Sequence, residues 1–501
     1  MASLKPSYLS HAEHAGADMT SIMKDTDTVS GDVDDDLRWM SARQLASLIR
    51  SGELLAREAL RAHWAHIDAV NPQLNAIIYE DRESAWRQAE LADARQAAGE
   101  PLGALHGVPM TNKDCNDTAG MPSTWGSPLL QGNIAKQDSV IVARLRAAGA
   151  VLTGKSNVPE FAAGAHTFNE VNGITRNPYD LTRSPGGSSG GVAASLAAGI
   201  QPIGDGSDMA GSLRVPAAFC NVLGLRPSRG QIPNPSPDSW AWLGCTGPMA
   251  RETADIALMM SLLSGPDPRV PYSMNAQWTD TERTLHQGVK GLRIGYSPTV
   301  GLDMPIEPQV AAVCKQALAA LAQEGAHIEE AAPNISCADY VFRQTRANDF
   351  EFAWGELVRA NPEQVKPEMR ENVAAGTRQT AGDLRELART RTRLEGCVRD
   401  YFNRYDLWIT PTTQVLPFPA EWRYPTQIND QPMSDYLDWM RSVCVVSAMD
   451  VPALSVPAGF SPEGLPVGLQ VVGPIGSENL LLRVAQTLED ITGFSSIHPA
   501  L

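Results

Sequence analysis

The chain has neither a Cys-x-x-Cys pair nor a His-Glu-x-x-His motif: its seven cysteines (Cys115, Cys220, Cys245, Cys314, Cys337, Cys397, Cys444) are odd in number and scattered, and its nine histidines lack ligand spacing. Both absences argue against a disulfide framework or a zinc site; the thiols read as reduced and buried in a cytoplasmic protein, and neither metal nor cofactor is implied. Basic residues are outnumbered, 41 Lys and Arg against 57 Asp and Glu, for a net charge of −16. That balance argues against nucleic acid or an anionic membrane surface as partner, since both require basic patches. No apolar run approaches the roughly 18 residues needed to span a bilayer. Residues 1–31 are polar and broken by Pro6 and Gly16, unlike the apolar segment of a signal peptide.

What remains is an ordinary globular composition, 43% apolar and 20% charged over 501 residues, with ample length for a large core. Residues 1–36, ending in Asp32-Val33-Asp34-Asp35-Asp36, read as a flexible acidic extension, and residues 37–501 as a single domain without a long linker. Ser41 and Gln44 form a capping-box pattern before an apolar stripe of Leu45, Leu48 and Ile49, with Gly52 as the stop. A second helix is predicted from about Leu54 to Asn71-Pro72, and a third from Arg82 to Ala98. These helices either cover a sheet or form a homodimer contact. After Pro101 short apolar runs alternate with helices: strand His106–Lys113, helix Asp138–Ala148, strand Val151–Lys155, and a similar alternation to a last helix at Ser477–Glu489. The fold class is α/β, a sheet flanked by helices.

The most constrained stretch runs from Ser184 to Arg226, where Gly186-Gly187-Ser188-Ser189-Gly190-Gly191 and Gly211-Ser212 flank an Ala-rich helical run and a short strand. Glycine clusters of this kind stand where backbone passes close to other atoms or turns through angles closed to other residues, and two in one unit point to an assembled site. Gly186-Gly187-Ser188-Ser189-Gly190 satisfies Gly-x-Ser-x-Gly, the nucleophile elbow, which also needs a downstream acid and histidine; His286, His327 and His498 follow, none in a recognisable loop after a strand. No Gly-Lys-Ser/Thr follows, so the clusters do not read as a phosphate loop. The alternative is a serine activated by a neutral lysine, which requires the ammonium form to be disfavoured by burial. Lys113, after the apolar run His106–Met110, is such a lysine or else a solvated residue at a strand end.

Together these elements resemble the amidase signature family. The resemblance rests on Gly107-Val-Pro-Met-Thr-Asn-Lys113-Asp, Ser184-Pro-Gly-Gly-Ser-Ser-Gly-Gly191 and Asp208-Met-Ala-Gly-Ser212-Leu-Arg-Val-Pro-Ala217. It extends through Asn157-Val-Pro-Glu-Phe161, Gly224-Leu-Arg-Pro227, Thr410-Pro-Thr412, Pro452-Ala-Leu-Ser-Val-Pro457 and Gly464-Leu-Pro-Val-Gly-Leu-Gln470, all in the family's order. It implies a large mixed β-sheet covered by helices on both faces. It also implies a Ser-cisSer-Lys triad, with Ser212 as nucleophile, Ser188 as the bridging serine after a cis bond from Gly187, and Lys113 as base. The N–H groups of Met209, Ala210, Gly211 and Ser212 would form the oxyanion hole, and Ser189, Asp208 and Arg214 would hold the loops.

The implied activity is that of a serine amidohydrolase acting through an acyl-enzyme on a small-molecule amide, ester or carbamate. Ala210 and Met209 depart from the family's usual Gly-Gly-Ser turn, and residue 210 is expected to keep a negative φ. The family's glutaminase subunit of a tRNA-dependent amidotransferase uses a carboxylate where this chain has Met440-Arg-Ser-Val443, which argues against a free amino acid as substrate. A scaffold without activity is the other alternative, disfavoured because Lys113, Ser188 and Ser212 are all present. Trp125, Phe161, Phe168 and Ser239-Trp-Ala-Trp242 suggest an apolar or aryl substrate, with Trp125, Phe161, Ala162 and Ser188 as contacts.

Overall fold

The structure, a computed structural model, describes residues 37–275, 278 and 281–501; the extension expected over residues 1–36 lies outside the described residues. Helix α1 (Ala42–Ser51) begins with the predicted capping box, Ser41 Oγ accepting from Gln44 N and Gln44 Oε1 from Ser41 N, and ends at Gly52. Helix α2 (Ala56–Leu74) runs beyond the expected stop, carrying Pro72 in its last turn and ending where Asn75 takes φ +52°. Helix α3 (Arg82–Ala97) follows. These helices cover a sheet: α2 places His63 with Nε2 3.0 Å from Thr153 Oγ1 on a strand below, and α3 packs on the same strand.

That strand belongs to a three-stranded sheet of β1 (Ile77–Glu80), β2 (Pro109–Lys113) and β3 (Val151–Ser156), in the order β1-β3-β2. An eight-stranded sheet holds β4 (Ile203–Asp208), β5 (Leu223–Arg226), β6 (Cys245–Ala250), β7 (Arg293–Tyr296), β8 (His327–Glu330), β9 (Leu407–Pro411), β10 (Ala453–Phe460) and β11 (Pro466–Val472). Its order is β8-β7-β9-β11-β10-β5-β6-β4. Pairings β7 with β8 and β7 with β9 are parallel and the rest antiparallel, so the sheet is mixed. β2 lies against β4, and the Lys113 N–H donates to Asp205 Oδ1 at 3.1 Å across that seam.

Alternation along the strands makes two cores, one on each face. Leu407, Ile409, Leu469 and Val471 join a cluster with Ile256, Leu263, Leu318 and Leu482. Those partners come from helices α7 (Thr253–Leu263), α9 (Pro308–Gln323) and α14 (Glu478–Thr492); α4 (Val140–Ala147), α5 (Gly190–Ala197) and α6 (Arg214–Phe219) precede α7, and α8 (Thr281–Leu285) lies between α7 and α9. Trp408, Val472 and Ala453 point the other way, into a cluster with Phe219 of α6 and residues of α10 (Ala338–Ala360), α12 (Ala381–Phe402) and α13 (Arg441–Ala448); α11 (Pro367–Thr377) packs on α10. The result is one α/β domain with helices on both faces of a large mixed sheet. Among the described residues no helix is long and apolar enough to cross a membrane.

Candidate active site

Three chain segments converge at the seam. β2 delivers Lys113 at its end; the Ser184–Gly191 segment runs into α5; and β4 ends at Asp208, whose following turn carries Ser212 into α6. Gly191 is required because a Cβ there would lie 2.4 Å from Asn157 N. Gly211 is required twice over, by φ +85° and by a Cβ that would lie 2.4 Å from Val443 Cγ2. The Gly187–Ser188 peptide is cis, and Ala210 is not among the residues of positive φ.

Lys113 is fully buried, and its Nζ donates to Oγ of Ser188 at 2.8 Å, Ser189 at 2.9 Å and Ser207 at 2.9 Å. Burial drives the amine below its ordinary 10.5, against the opposing pull of Cys115, Asp205 and Asp208. The neutral amine has a lone pair and can take a proton through any of these hydroxyls. Ser188 therefore faces the lysine and no histidine, which removes the elbow reading; His286 and His327 are exposed, and His498 stacks on Trp39 at 3.5 Å. Ser212 is nearly buried, its hydroxyl forms no hydrogen bond among the described residues, and its carbonyl accepts from Ser189 N at 3.2 Å. That bond ties the two glycine clusters together. Ser189 contacts Lys113 itself, a closer position than the loop-holding one expected for it.

Asp208 organises the turn. Its carboxylate accepts Gly211 N at 3.0 Å and Leu213 N at 3.2 Å, together with Arg214 Nε at 3.0 Å and Nη2 at 2.9 Å. Burial works against its charge, but Arg214 and Arg226 outweigh it and hold the carboxyl far below the usual range. Arg214 is anchored in turn by Ser447 Oγ at 2.7 Å and by Gln470 Oε1. The expected oxyanion set needs one correction: the Gly211 N–H is already engaged by Asp208, whereas those of Met209, Ala210 and Ser212 form no hydrogen bond among the described residues.

Of the expected substrate contacts, Trp125, Phe161 and Ala162 all lie in the left-handed region at φ +51°, +54° and +52°, with Phe161 N donating to Trp125 O at 2.7 Å. Both rings pack on Trp354 of α10, centroids 5.4 and 4.8 Å away, and Met209 joins the same apolar cluster. Trp242 instead lies under the Arg391 guanidinium at 3.9 Å, Trp240 is exposed, and Phe168 packs on His166. Sequence reasoning missed Ser207 and Trp354. Ser207 has no motif beyond its place one residue before Asp208, and Trp354 comes from a distant helix. Among the described residues no group of His, Cys, Asp or Glu is arranged to hold a metal ion.

A fold of this kind, with a buried lysine bonded to two serines of a glycine turn and to a third on β4, defines a class of serine hydrolases, and the comparisons agree: the amidase family model matches residues 58–482. The chain belongs to the amidase signature family and is a hydrolase acting on C–N bonds. It is 36% identical over 474 residues to an acylamidase of Rhodococcus erythropolis, covering 93% of this chain and 98% of that protein. It is 35% identical to a glutamyl-tRNA(Gln) amidotransferase subunit of Chloroflexus aggregans, with 93% and 99% covered. Among solved structures it superposes on a bacterial aryl acylamidase with TM-score 0.87 at 28% identity, covering 92% and 98% of the two chains. A 6-aminohexanoate cyclic dimer hydrolase in complex with substrate gives TM-score 0.81 at 30% identity, with 92% and 99% covered.

Proposed function

We propose that this chain hydrolyses apolar or aryl carboxamides through an acyl-enzyme on Ser212, with Lys113 as base and Ser188 as the proton carrier between them. The observation that carries the reading is the buried Lys113 amine within 2.8 to 2.9 Å of three serine hydroxyls where the two glycine turns meet. Lys113 takes the Ser188 proton as Ser188 takes that of Ser212, and the Ser212 oxygen adds to the carbonyl carbon. The resulting oxyanion faces the free N–H groups of Met209, Ala210 and Ser212, each worth roughly a hundred- to a thousandfold in rate. The proton returns through Ser188 to the departing nitrogen, the C–N bond breaks, and water releases the acyl group by the same relay in reverse. Esters and carbamates fit the same chemistry. Trp125, Phe161 and Trp354 supply the aromatic wall, and the similarity to acylamidases, one of them an aryl acylamidase, supports it.

The similarity to the amidotransferase protein favours a second reading, glutamine as ammonia donor within a complex. The Met440–Val443 stretch has no carboxylate to receive an amino group, which weighs against it. Mass mapping after treatment with a serine-directed fluorophosphonate decides the nucleophile: a single adduct on Ser212, absent from Ser212→Ala, is expected, and an adduct on Ser188 instead would sink the assignment. Turnover of acetanilide without ammonia release from glutamine then separates the two substrates.

A further inference from the structure

We propose that Arg346 is an anion-binding residue of the substrate pocket, so that the preferred amides carry a carboxylate on the part that reaches past Met209; this rests on the amidohydrolase reading above. Arg346, on α10, is 3% exposed, and its guanidinium lies 4.1 Å from the Phe350 ring centroid. Its Nε donates to Asn372 Oδ1 and to the Tyr436 hydroxyl, both at 3.1 Å, its Nη2 to the same hydroxyl at 2.8 Å, and its Nη1 to Met209 Sδ at 3.2 Å. None of these acceptors is charged.

Other buried guanidinium groups have strong acceptors: Arg214 and Arg226 both reach Asp208, Arg251 donates to the main-chain carbonyls of Leu196, Gln201, Arg38 and Met40, and the less buried Arg343, three positions earlier on α10, reaches Asp339, Asp435 and Asp438. Arg346 differs in donating to neither a carboxylate nor a main-chain carbonyl, which is costly for a buried cation. The surroundings are short of acceptors as well. Asn372 Nδ2 also donates to the Tyr436 hydroxyl, at 2.7 Å, so three donors converge on an oxygen with two lone pairs. Lys366, half-buried, adds a second cation within electrostatic range, itself accompanied by Glu368 and Glu160. Asp349, on the same helix, lies within electrostatic range of Arg346 but makes no ion pair with it, and its buried Oδ2 has no hydrogen-bond partner among the described residues.

The position gives this imbalance a use. Met209 is half-buried in the turn that carries Ser212, and its thioether, a weak acceptor, is all that occupies Arg346 Nη1. A flexible methionine yields to a ligand at little cost. A carboxylate there would accept two parallel N–H bonds from the guanidinium, the geometry that suits an arginine fork, and would relieve the crowding of donors on Tyr436. Phe350 and Trp354 on the same helix face are apolar, so on that face the charge would be met by Arg346.

The test measures kcat/KM for two pairs of anilides with the wild type, Arg346→Gln, Arg346→Lys and Tyr436→Phe. Glutaranilic acid against hexananilide places the carboxylate on the acyl part, and 4-acetamidobenzoate against 4′-methylacetanilide places it on the amine part. One pair is expected to favour the carboxylate by about tenfold or more, the factor a charge-assisted hydrogen bond supplies. That preference should fall to about one in Arg346→Gln, mainly through KM, and survive in part in Arg346→Lys. Neutral members favoured in both pairs, or a preference untouched by Arg346→Gln, would overturn the proposal. Should no anilide turn over, the amidohydrolase reading fails separately, and titration calorimetry with glutarate and 4-acetamidobenzoate decides the site: binding by the wild type that Arg346→Gln loses supports it, and absent or equal binding refutes it. If Arg346→Gln does not fold, Arg346→Lys and Tyr436→Phe carry the same comparison: Arg346→Lys should lower the preference, and Tyr436→Phe, which removes the competing acceptor, should keep or raise it; the opposite result in either would overturn the proposal.

Discussion

The Lys113 amine touches serine hydroxyls and no carboxylate, so nothing in direct contact holds its proton. Its folded value lies below 10.5, and the neutral form is the one that accepts a proton. The expected pH profile of kcat/KM therefore rises as the amine deprotonates and levels off with a midpoint below 10.5; a rate still climbing through that value would rule Lys113 out as base. Lys113→Ala should lower kcat by about a hundred- to ten-thousandfold, the usual scale of a lost general base. Gly211→Ala meets Val443 and demands a left-handed alanine, so the turn shifts and the free N–H groups move with it. A fall in kcat of about a hundredfold is expected together with a lower melting temperature, and unchanged kcat would show that the turn does not hold the oxyanion. The glycine clusters made an assembled site legible in the sequence, and the family resemblance picked out Lys113, Ser188, Ser189, Asp208, Ser212 and Arg214 around it. Arg346 and Tyr436 were not, because a single arginine or tyrosine in a polar stretch gives no sign of burial.

Strands and helices with plain apolar alternation were legible to within a few residues, as β3, α4 and α14 show. The three long segments α10, α11 and α12 were not anticipated. α12 exposes most of its length and is laced with pairs such as Arg391–Glu395 and Arg393–Glu386, so its sequence has no broad apolar stripe to read. α10 is mixed because its buried face carries Arg346 as well as Phe350. Positions 346, 350 and 354 recur every four residues and so share one face of that helix. Trp354→Ala removes the ring on which Trp125 and Phe161 both pack. KM for anilides should rise by about three- to tenfold with a smaller change in kcat, and an effect confined to kcat would place the aromatic wall outside the binding step.

The molecule as a whole is closed at its N-terminal side by carboxylates rather than by apolar contacts alone. Asp255 of α7 accepts the N–H groups of Ala42 at 2.8 Å and Arg43 at 3.3 Å at the start of α1. Burial, then Asp255 and Glu489, raise Glu252 to about 7, and burial raises Asp255 to about 6 against the helix N–H groups and Arg251. Both values exceed the ordinary 4.5 and 3.8, so the stability these groups contribute is present in acid and is lost as pH rises through 6 to 7. Glu252→Gln keeps the shape without the charge, and its melting temperature should match the wild type near pH 4 and exceed it by about one or two degrees at pH 8. Equal melting temperatures at both pH values would show that Glu252 ionises without cost.

Lys113 ends a strand of the smaller sheet, Ser212 follows a strand of the larger one, and only side-chain bonds such as Asp205 to the Lys113 N–H stitch β2 to β4. The proposed base and nucleophile thus belong to two sheets, and turnover is expected to gauge their alignment. Under mild urea the rate should fade while far-ultraviolet ellipticity still holds, because a slip of about an ångström between the sheets parts the relay long before either one melts.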